Sequence, residues 1–230
     1  KEALFLKTLR HPGIPLVYDV EEDLTNSYLI EEYLEGESLY ALVKRLGSLS
    51  VKTAVDLGIQ ICRIIQFMNS AENPILYLDL QPKNLLVCNG VLRLTDFDHA
   101  QYALDAAAFG ERYGTIGFAA PEQYTGEPLD CRTDVYAIGA LLYFMSRGDA
   151  PGSVPEYRNE PEYRMFDRII RGCMEKEKEA RYQSADELQE TLQELQNQLK
   201  EQAAESRIVV FAGAAAGIGT THAALGMSHF

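Results

Sequence analysis

The sequence predicts an α+β fold, a small sheet beside a mostly helical lobe, followed by the opening of a separate α/β segment. Three observations carry that expectation. Alternating stretches near Leu16 to Val20 and Tyr28 to Tyr33, and a further pair flanking Asn89-Gly90, read as short strands. The stretch from about Thr133 to Ser146 is apolar almost all the way round (Val135, Tyr136, Ile138, Leu141, Leu142, Phe144), the mark of a central helix buried in a helical lobe. Near the C-terminus, Ile208 to Phe211 and the glycine-rich run Ala212 to Thr221 read as strand, loop and helix start.

Composition bounds what such a fold can serve. With 230 residues, 47% of them hydrophobic and 24% charged, the chain can bury the core of one large domain or two small ones. Its 34 acidic residues against 21 basic ones give a net charge of -13, a field that repels a polyphosphate backbone, and no basic patch offsets it. Nucleic acid is therefore not an expected partner. Cys62, Cys88, Cys131 and Cys173 show no CxxC pairing, so neither a zinc site nor a disulfide framework is suggested, and a reducing cytoplasm fits best. No window approaches the run of about 18 apolar residues that a membrane helix needs, and the first residues lack the order of a signal peptide. The sequence opens in a helical pattern at Lys1 and stops at Phe230 in what reads as a new helix, so a fragment of a longer chain is expected.

Taken in order, a first helix carries Leu4, Phe5 and Leu9 and ends before His11-Pro12-Gly13, where proline and glycine block continuation. The two strands follow. A short helix from Ser38 to Leu46 closes on Gly47, and a long one starts at Ser50 with the stripe Ala54, Leu57, Ile61, Ile64, Ile65 and Met68. Leu85 to Cys88 and Val91 to Leu94 form a hairpin, because Asn-Gly accepts the positive φ that its turn requires. The last helix opens with Ser184 and Glu187 in capping-box register and carries Leu188, Leu192, Leu195 and Leu199 on one face, which suits a docked amphipathic helix or, alternatively, a coiled coil. The polar residues from Gln196 to Ser206 suggest a linker.

The hairpin matters because it closes on itself. Asn84 precedes one strand and Asp96 follows the other, so an amide oxygen and a carboxylate converge across strands about 5 Å apart. Hard oxygen ligands of this kind suit Mg2+, which keeps few protein ligands and fills its shell with water and phosphate. A further carboxylate, Asp79, stands in Tyr77-Leu78-Asp79-Leu80-Gln81-Pro82-Lys83-Asn84.

That run, with Asp96-Phe97-Asp98 and Ala120-Pro121-Glu122 after it, resembles the catalytic loop, metal motif and activation-segment end of the bacterial-type Ser/Thr protein kinase domain. The resemblance covers Lys1 to about Leu199 and implies a two-lobe fold with an incomplete N-lobe sheet, since the glycine-rich loop and the ATP-positioning lysine of the family have no counterpart here. It implies domains at 1–199 (kinase), 200–206 (linker) and 207–230 (the start of a P-loop-like domain). It also implies transfer of the ATP γ-phosphoryl group to protein hydroxyls with Mg2+, the fragment alone being inactive or feeble. Asp79 is then the catalytic base, and Asn84 and Asp96 are the metal ligands. Glu2 would pair with the absent lysine, and the Glu32 and Leu34 peptides would hold adenine over the floor residue Leu86. Thr115 would contact the catalytic aspartate and shape the substrate platform, Asp134 would brace the catalytic loop, and Glu122 and Arg181 would form a buried structural pair.

The sequence also departs from the family pattern. Tyr77-Leu78 replace His-Arg, and no serine or threonine lies between His99 and Gly114, so activation without Ser/Thr phosphorylation of that loop is expected. Gln81 stands in place of a lysine that stabilises the transferring phosphoryl group, which implies slower turnover. Asp98 replaces the glycine of the metal motif, and Glu31 an apolar residue at the back of the nucleotide pocket. These changes leave open a pseudokinase, a nucleotide-binding regulatory scaffold for the domain that follows. The run Gly213 to Thr221 resembles the phosphate loop of partition-type ATPases, with Thr220 in place of the phosphate-binding lysine.

Overall fold

The computed structural model describes residues 7, 9–22, 27–108, 114–152, 157–158 and 161–205. Glu2, the helix expected around Leu4 and Phe5, and the P-loop-like segment at 207–230 lie outside the described residues. The chain divides into two units, Lys1–Leu195 and Gln196–Phe230.

In the first unit, β1 (Val17–Glu22) and β2 (Ser27–Glu31) form an antiparallel ribbon with a bulge between Val17 and Asp19. The two-residue β3 (Glu37–Ser38) leads into α1 (Leu39–Leu46). Ser38 accepts a hydrogen bond from the Ala41 amide (3.1 Å), and Gly47 ends the helix at φ 81°. Helix α2 (Val51–Asn69) starts on Ser50, whose hydroxyl accepts from Thr53 N–H (3.1 Å). Every member of its expected stripe is buried.

After β4 (Ile75–Leu76) and a 3-10 turn at Pro82–Asn84 comes the hairpin of β5 (Leu85–Cys88) and β6 (Val91–Leu94). Its turn holds Asn89 at φ 52° and Gly90 at φ 82°, the conformations that Asn-Gly tolerates. The register pairs Leu85 with Leu94 and Leu86 with Arg93, and β3 adds a third strand along β5. Strand β7 (Gln101–Tyr102) returns to pair with β4.

The remaining helices are α3 (Ala103–Ala108), α4 (Glu122–Thr125), α5 (Cys131–Arg147), α6 (Pro161–Cys173) and α7 (Ala185–Glu205). Helix α5 is the centre of the core: Val135, Ile138, Leu141 and Leu142 are fully buried. Neighbouring helices approach it closely at two glycines. A Cβ on Gly58 of α2 would sit 2.7 Å from Leu142, and one on Gly139 of α5 would collide with Cys173 of α6. Asp130 caps α5 in a reciprocal box with Thr133. Replacing Asp130 by alanine is expected to lower unfolding free energy by about 1–2 kcal/mol, read as a shift in urea midpoint without a change in slope.

Two sequence expectations change. Ser184 accepts from Glu187 N–H (3.1 Å), but the Glu187 carboxylate reaches back to Gln183 N–H (2.6 Å), one residue beyond the N-cap amide of the expected box. The stretch expected as linker is helical as far as Glu205, because residues 196–205 hold no proline or glycine and consist of helix formers. Leu188, Leu192 and Leu195 are buried, as an amphipathic helix docked by one face requires. Helices α3, α4 and α6 were not anticipated from sequence; α3 and α4 are too short to show a period.

Candidate active site

Helix α5 sets the site from below. Asp134, in its first turn and fully buried, accepts Tyr77 N–H (2.9 Å) on one carboxylate oxygen and Leu78 N–H (2.8 Å) on the other. Burial pushes its pKa from 3.8 up to about 6, against the two amide donors that favour the anion. Those bonds fix the backbone entering Asp79, and Leu78 takes the left-handed conformation (φ 67°).

Four predicted site residues then meet in one hydrogen-bonded cluster. Asp79 Oδ1 accepts from the Thr115 hydroxyl (2.8 Å), and Asp79 Oδ2 accepts from Asn84 Nδ2 (2.9 Å) and Gln81 Nε2 (2.9 Å). Asn84 Nδ2 also donates to the Asp79 carbonyl (3.1 Å), which closes the loop on itself. Thr115 comes from the segment before α4, so two stretches distant in sequence converge on one carboxylate. A recess beside it is lined by Leu80, Thr115, Phe118 and Ala119.

Asp96 is brought alongside by the hairpin. Thr95 donates its N–H (2.9 Å) and its hydroxyl (3.2 Å) to the Asn84 carbonyl, and Asp96 follows at φ 61°. The Tyr77 hydroxyl donates to the carbonyls of Thr95 and Asp96, the latter at 2.8 Å, and the Tyr77 ring meets Phe97 edge-on at 5.4 Å. Burial holds the Tyr77 phenol well above its ordinary pKa, so it stays a donor. Tyr77 thus anchors the backbone on either side of the Asp96 carboxylate's own residue, a role that its hydroxyl, not its sequence neighbours, discloses.

The donor set suits a hard cation. With the Asn84 nitrogen turned to Asp79, its amide oxygen is the atom left as a ligand, and Asp96 adds a carboxylate. Among the described residues no group of three or more His, Cys, Asp or Glu could hold a metal, so the pair Asn84 and Asp96 would need water and phosphate to complete a shell, the habit of Mg2+.

The residues expected on the nucleotide side sit on different elements. Leu86, half-buried on β5, lies opposite Arg93, and Leu34 is half-buried in the segment after β2. Glu32 donates its N–H to the Leu16 carbonyl (2.8 Å). Its side chain is engaged as well: Arg93 donates to both of its oxygens, at 2.6 and 3.3 Å, and Leu16 N–H to one of them. The Arg93 guanidinium holds the Glu32 carboxyl below its usual range, whereas burial raises Glu31. This ion pair, which ties the end of β2 to β6, was not legible in sequence. Glu122 and Arg181 form a bidentate pair at 2.7 and 2.9 Å, both buried. Gln123, also unforeseen, is buried next to it and donates to the Leu78 carbonyl (2.9 Å).

Asp134 gives the stability a pH signature. Its folded pKa lies above the unfolded value, so its stabilising contribution is complete below pH 3.8 and is lost as pH rises through about 6, a span worth about 3 kcal/mol. Asp134→Asn should remove the stability slope in that window, read from urea midpoints across it.

Comparison with known proteins agrees with this geometry. The family model of the protein kinase domain matches residues 1–215. A probable serine/threonine-protein kinase of Clostridium acetobutylicum is 29% identical over 217 residues, covering 86% of this chain and 33% of that protein. One from Clostridium perfringens is 30% identical over 209 residues (82% of this chain, 30% of that protein). The serine/threonine-protein kinase PknB of Mycobacterium leprae is 29% identical over 217 residues (84% and 35%). The chain thus spans about a third of the length of these curated relatives. No helix among the described residues is long and apolar enough to cross a membrane. The match across most of the chain, together with a carboxylate, an amide and a hairpin aspartate in the family's order, makes this chain a member of the protein kinase domain family.

Proposed function

We propose that the protein transfers the γ-phosphoryl group of ATP to serine or threonine hydroxyls of a protein substrate, with Mg2+ held by Asn84 and Asp96. The observation that carries this reading is the Asp79 carboxylate, held by Thr115 on one oxygen and by Asn84 and Gln81 on the other. Fixed on both sides, it is the carboxylate positioned to take the proton of an incoming hydroxyl. Magnesium, when bound, supplies neutralisation of the charge that develops on the transferred group. The protein's own contribution is position: Asp134 fixes the loop, Tyr77 fixes the backbone at Asp96, and Thr115 orients Asp79.

Activity independent of Ser/Thr phosphorylation in the 99–114 loop belongs to the same reading, since Leu78 lies buried where the family's arginine would reach a phosphate. One observation favours a second reading, the nucleotide-binding scaffold. Gln81 spends its amide on Asp79 Oδ2 and brings no positive charge to a phosphate. The test is phosphate transfer to a generic protein substrate by the full-length protein with Mg2+, beside Asp79→Asn. Transfer that the variant loses supports the kinase; ATP binding without transfer under varied metals and substrates supports the scaffold. A P-loop-like domain from residue 207 onward as its intramolecular partner is part of the proposal, resting on sequence alone.

A further inference from the structure

Leu78 is strained where it matters. It is a non-glycine residue at φ 67°, 3% exposed, and its carbonyl belongs to the same peptide as the Asp79 nitrogen. Such a conformation persists only where the surroundings over-determine it. Asp134 accounts for one side, accepting the Leu78 N–H. The other side is held by Gln123, 1% exposed, whose Nε2 donates to the Leu78 carbonyl at 2.9 Å. The Gln123 side-chain amide cannot turn over, because its Oε1 accepts Ala120 N–H at 2.9 Å while its Nε2 donates to Leu78; the Gln123 backbone N–H adds a separate bond to the Ala120 carbonyl at 3.0 Å. Gln123 is thereby locked to the end of the segment that also supplies Thr115.

We infer that Gln123 is a positioning residue for phosphoryl transfer, clamping the Leu78–Asp79 peptide to the Ala120–Gln123 turn so that Asp79 stays in register with Thr115 and Asn84. The inference rests on the kinase reading and deepens it. The links between the two segments are a hydroxyl to the Asp79 carboxylate (Thr115) and an amide to the Leu78 carbonyl (Gln123), so this coupling needs no phosphate to form. Without the Gln123 donor, a buried carbonyl is left unpaired and Leu78 can relax to negative φ, which carries Asp79 away from both partners.

The test uses the full-length protein and Gln123→Met, which keeps length and removes both polar ends. Expected are a fall in kcat of about 10- to 100-fold, the scale of a small misplacement, with KM for ATP within about twofold, and faster amide exchange at Leu78 and Asp79. Unchanged kcat and unchanged exchange in a folded variant would overturn the inference, as would a loss of kcat that disappears at temperatures where the variant is fully folded. If the wild-type protein transfers nothing, the kinase reading fails, yet amide exchange still decides the clamp. Should Gln123→Met not fold, Gln123→Glu decides. It keeps the acceptor for Ala120, and only its protonated form can donate to Leu78. A new ionisation in the exchange and kcat profiles, lowering protection as pH rises, is expected; profiles identical to wild type would overturn the clamp.

Discussion

Asp79→Asn is expected to lower kcat for phosphoryl transfer by about 10²- to 10⁴-fold, the contribution of a positioned general base, while the protein stays folded. The hydrogen-bond pattern explains why both halves hold. The carboxylate accepts from Thr115 on one oxygen and from Asn84 and Gln81 on the other. An asparagine can turn its oxygen toward the two amides and its NH2 toward Thr115, whose hydroxyl rotates to accept. The cluster survives, and only the ability to take a proton is lost. Single-turnover transfer to a hydroxyl-bearing substrate, with melting temperature measured alongside, checks it. A variant that melts like wild type and turns over at the same rate would remove Asp79 from the proton path.

The second large effect concerns stability. Arg181→Met should cost about 3–5 kcal/mol, the penalty for stranding a buried charge. The Arg181 side chain is fully buried and that of Glu122 3% exposed, and the two are joined by both carboxylate oxygens. Thr133 donates a third bond to Glu122 (3.0 Å), and Arg181 also donates to the carbonyls of Glu175, Lys176 and Arg132. Burial by itself would raise the Glu122 pKa, but the Arg181 guanidinium together with the backbone and Thr133 donors outweighs it, and the net shift is downward. Its contribution is therefore present above the ordinary pH 4.5 and is lost as pH falls through the lowered folded value. Urea unfolding near neutral pH gives the cost directly. The double variant Glu122→Gln, Arg181→Met should recover part of it, because no charge is then left unpaired. Equal loss in single and double variants would mean that packing around the pair, and not its charge, sets the cost.

Much of the site was legible in the sequence because its information is local. Asn89-Gly90 fixes a two-residue turn, the turn fixes the register of Leu85–Cys88 against Val91–Leu94, and the register fixes which residues flank the open end. The caps at Ser38, Gly47 and Ser50 are equally local, since each satisfies an amide or a φ value within a few residues. Helix α6 carried its own signal, since Phe166, Ile169, Ile170 and Cys173 recur at helical spacing and all four are buried, but the stretch rich in proline and charge before it masked where it begins.

By itself, then, the sequence determined the α+β class, the hairpin that joins Asn84 to the strand before Asp96, the apolar central helix, and the order of carboxylate, amide and aspartate that marks the family. Asp134 apart, only the tertiary structure decided which side chain serves which distant backbone. That Gln123 holds Leu78, that the Tyr77 hydroxyl reaches the Asp96 carbonyl, and that Glu32 spends its carboxylate on Arg93 are all contacts between distant stretches. The physical reason is that a buried polar atom must find some partner, but burial and the identity of the partner are set by how the elements pack, and no spacing along the chain encodes that choice.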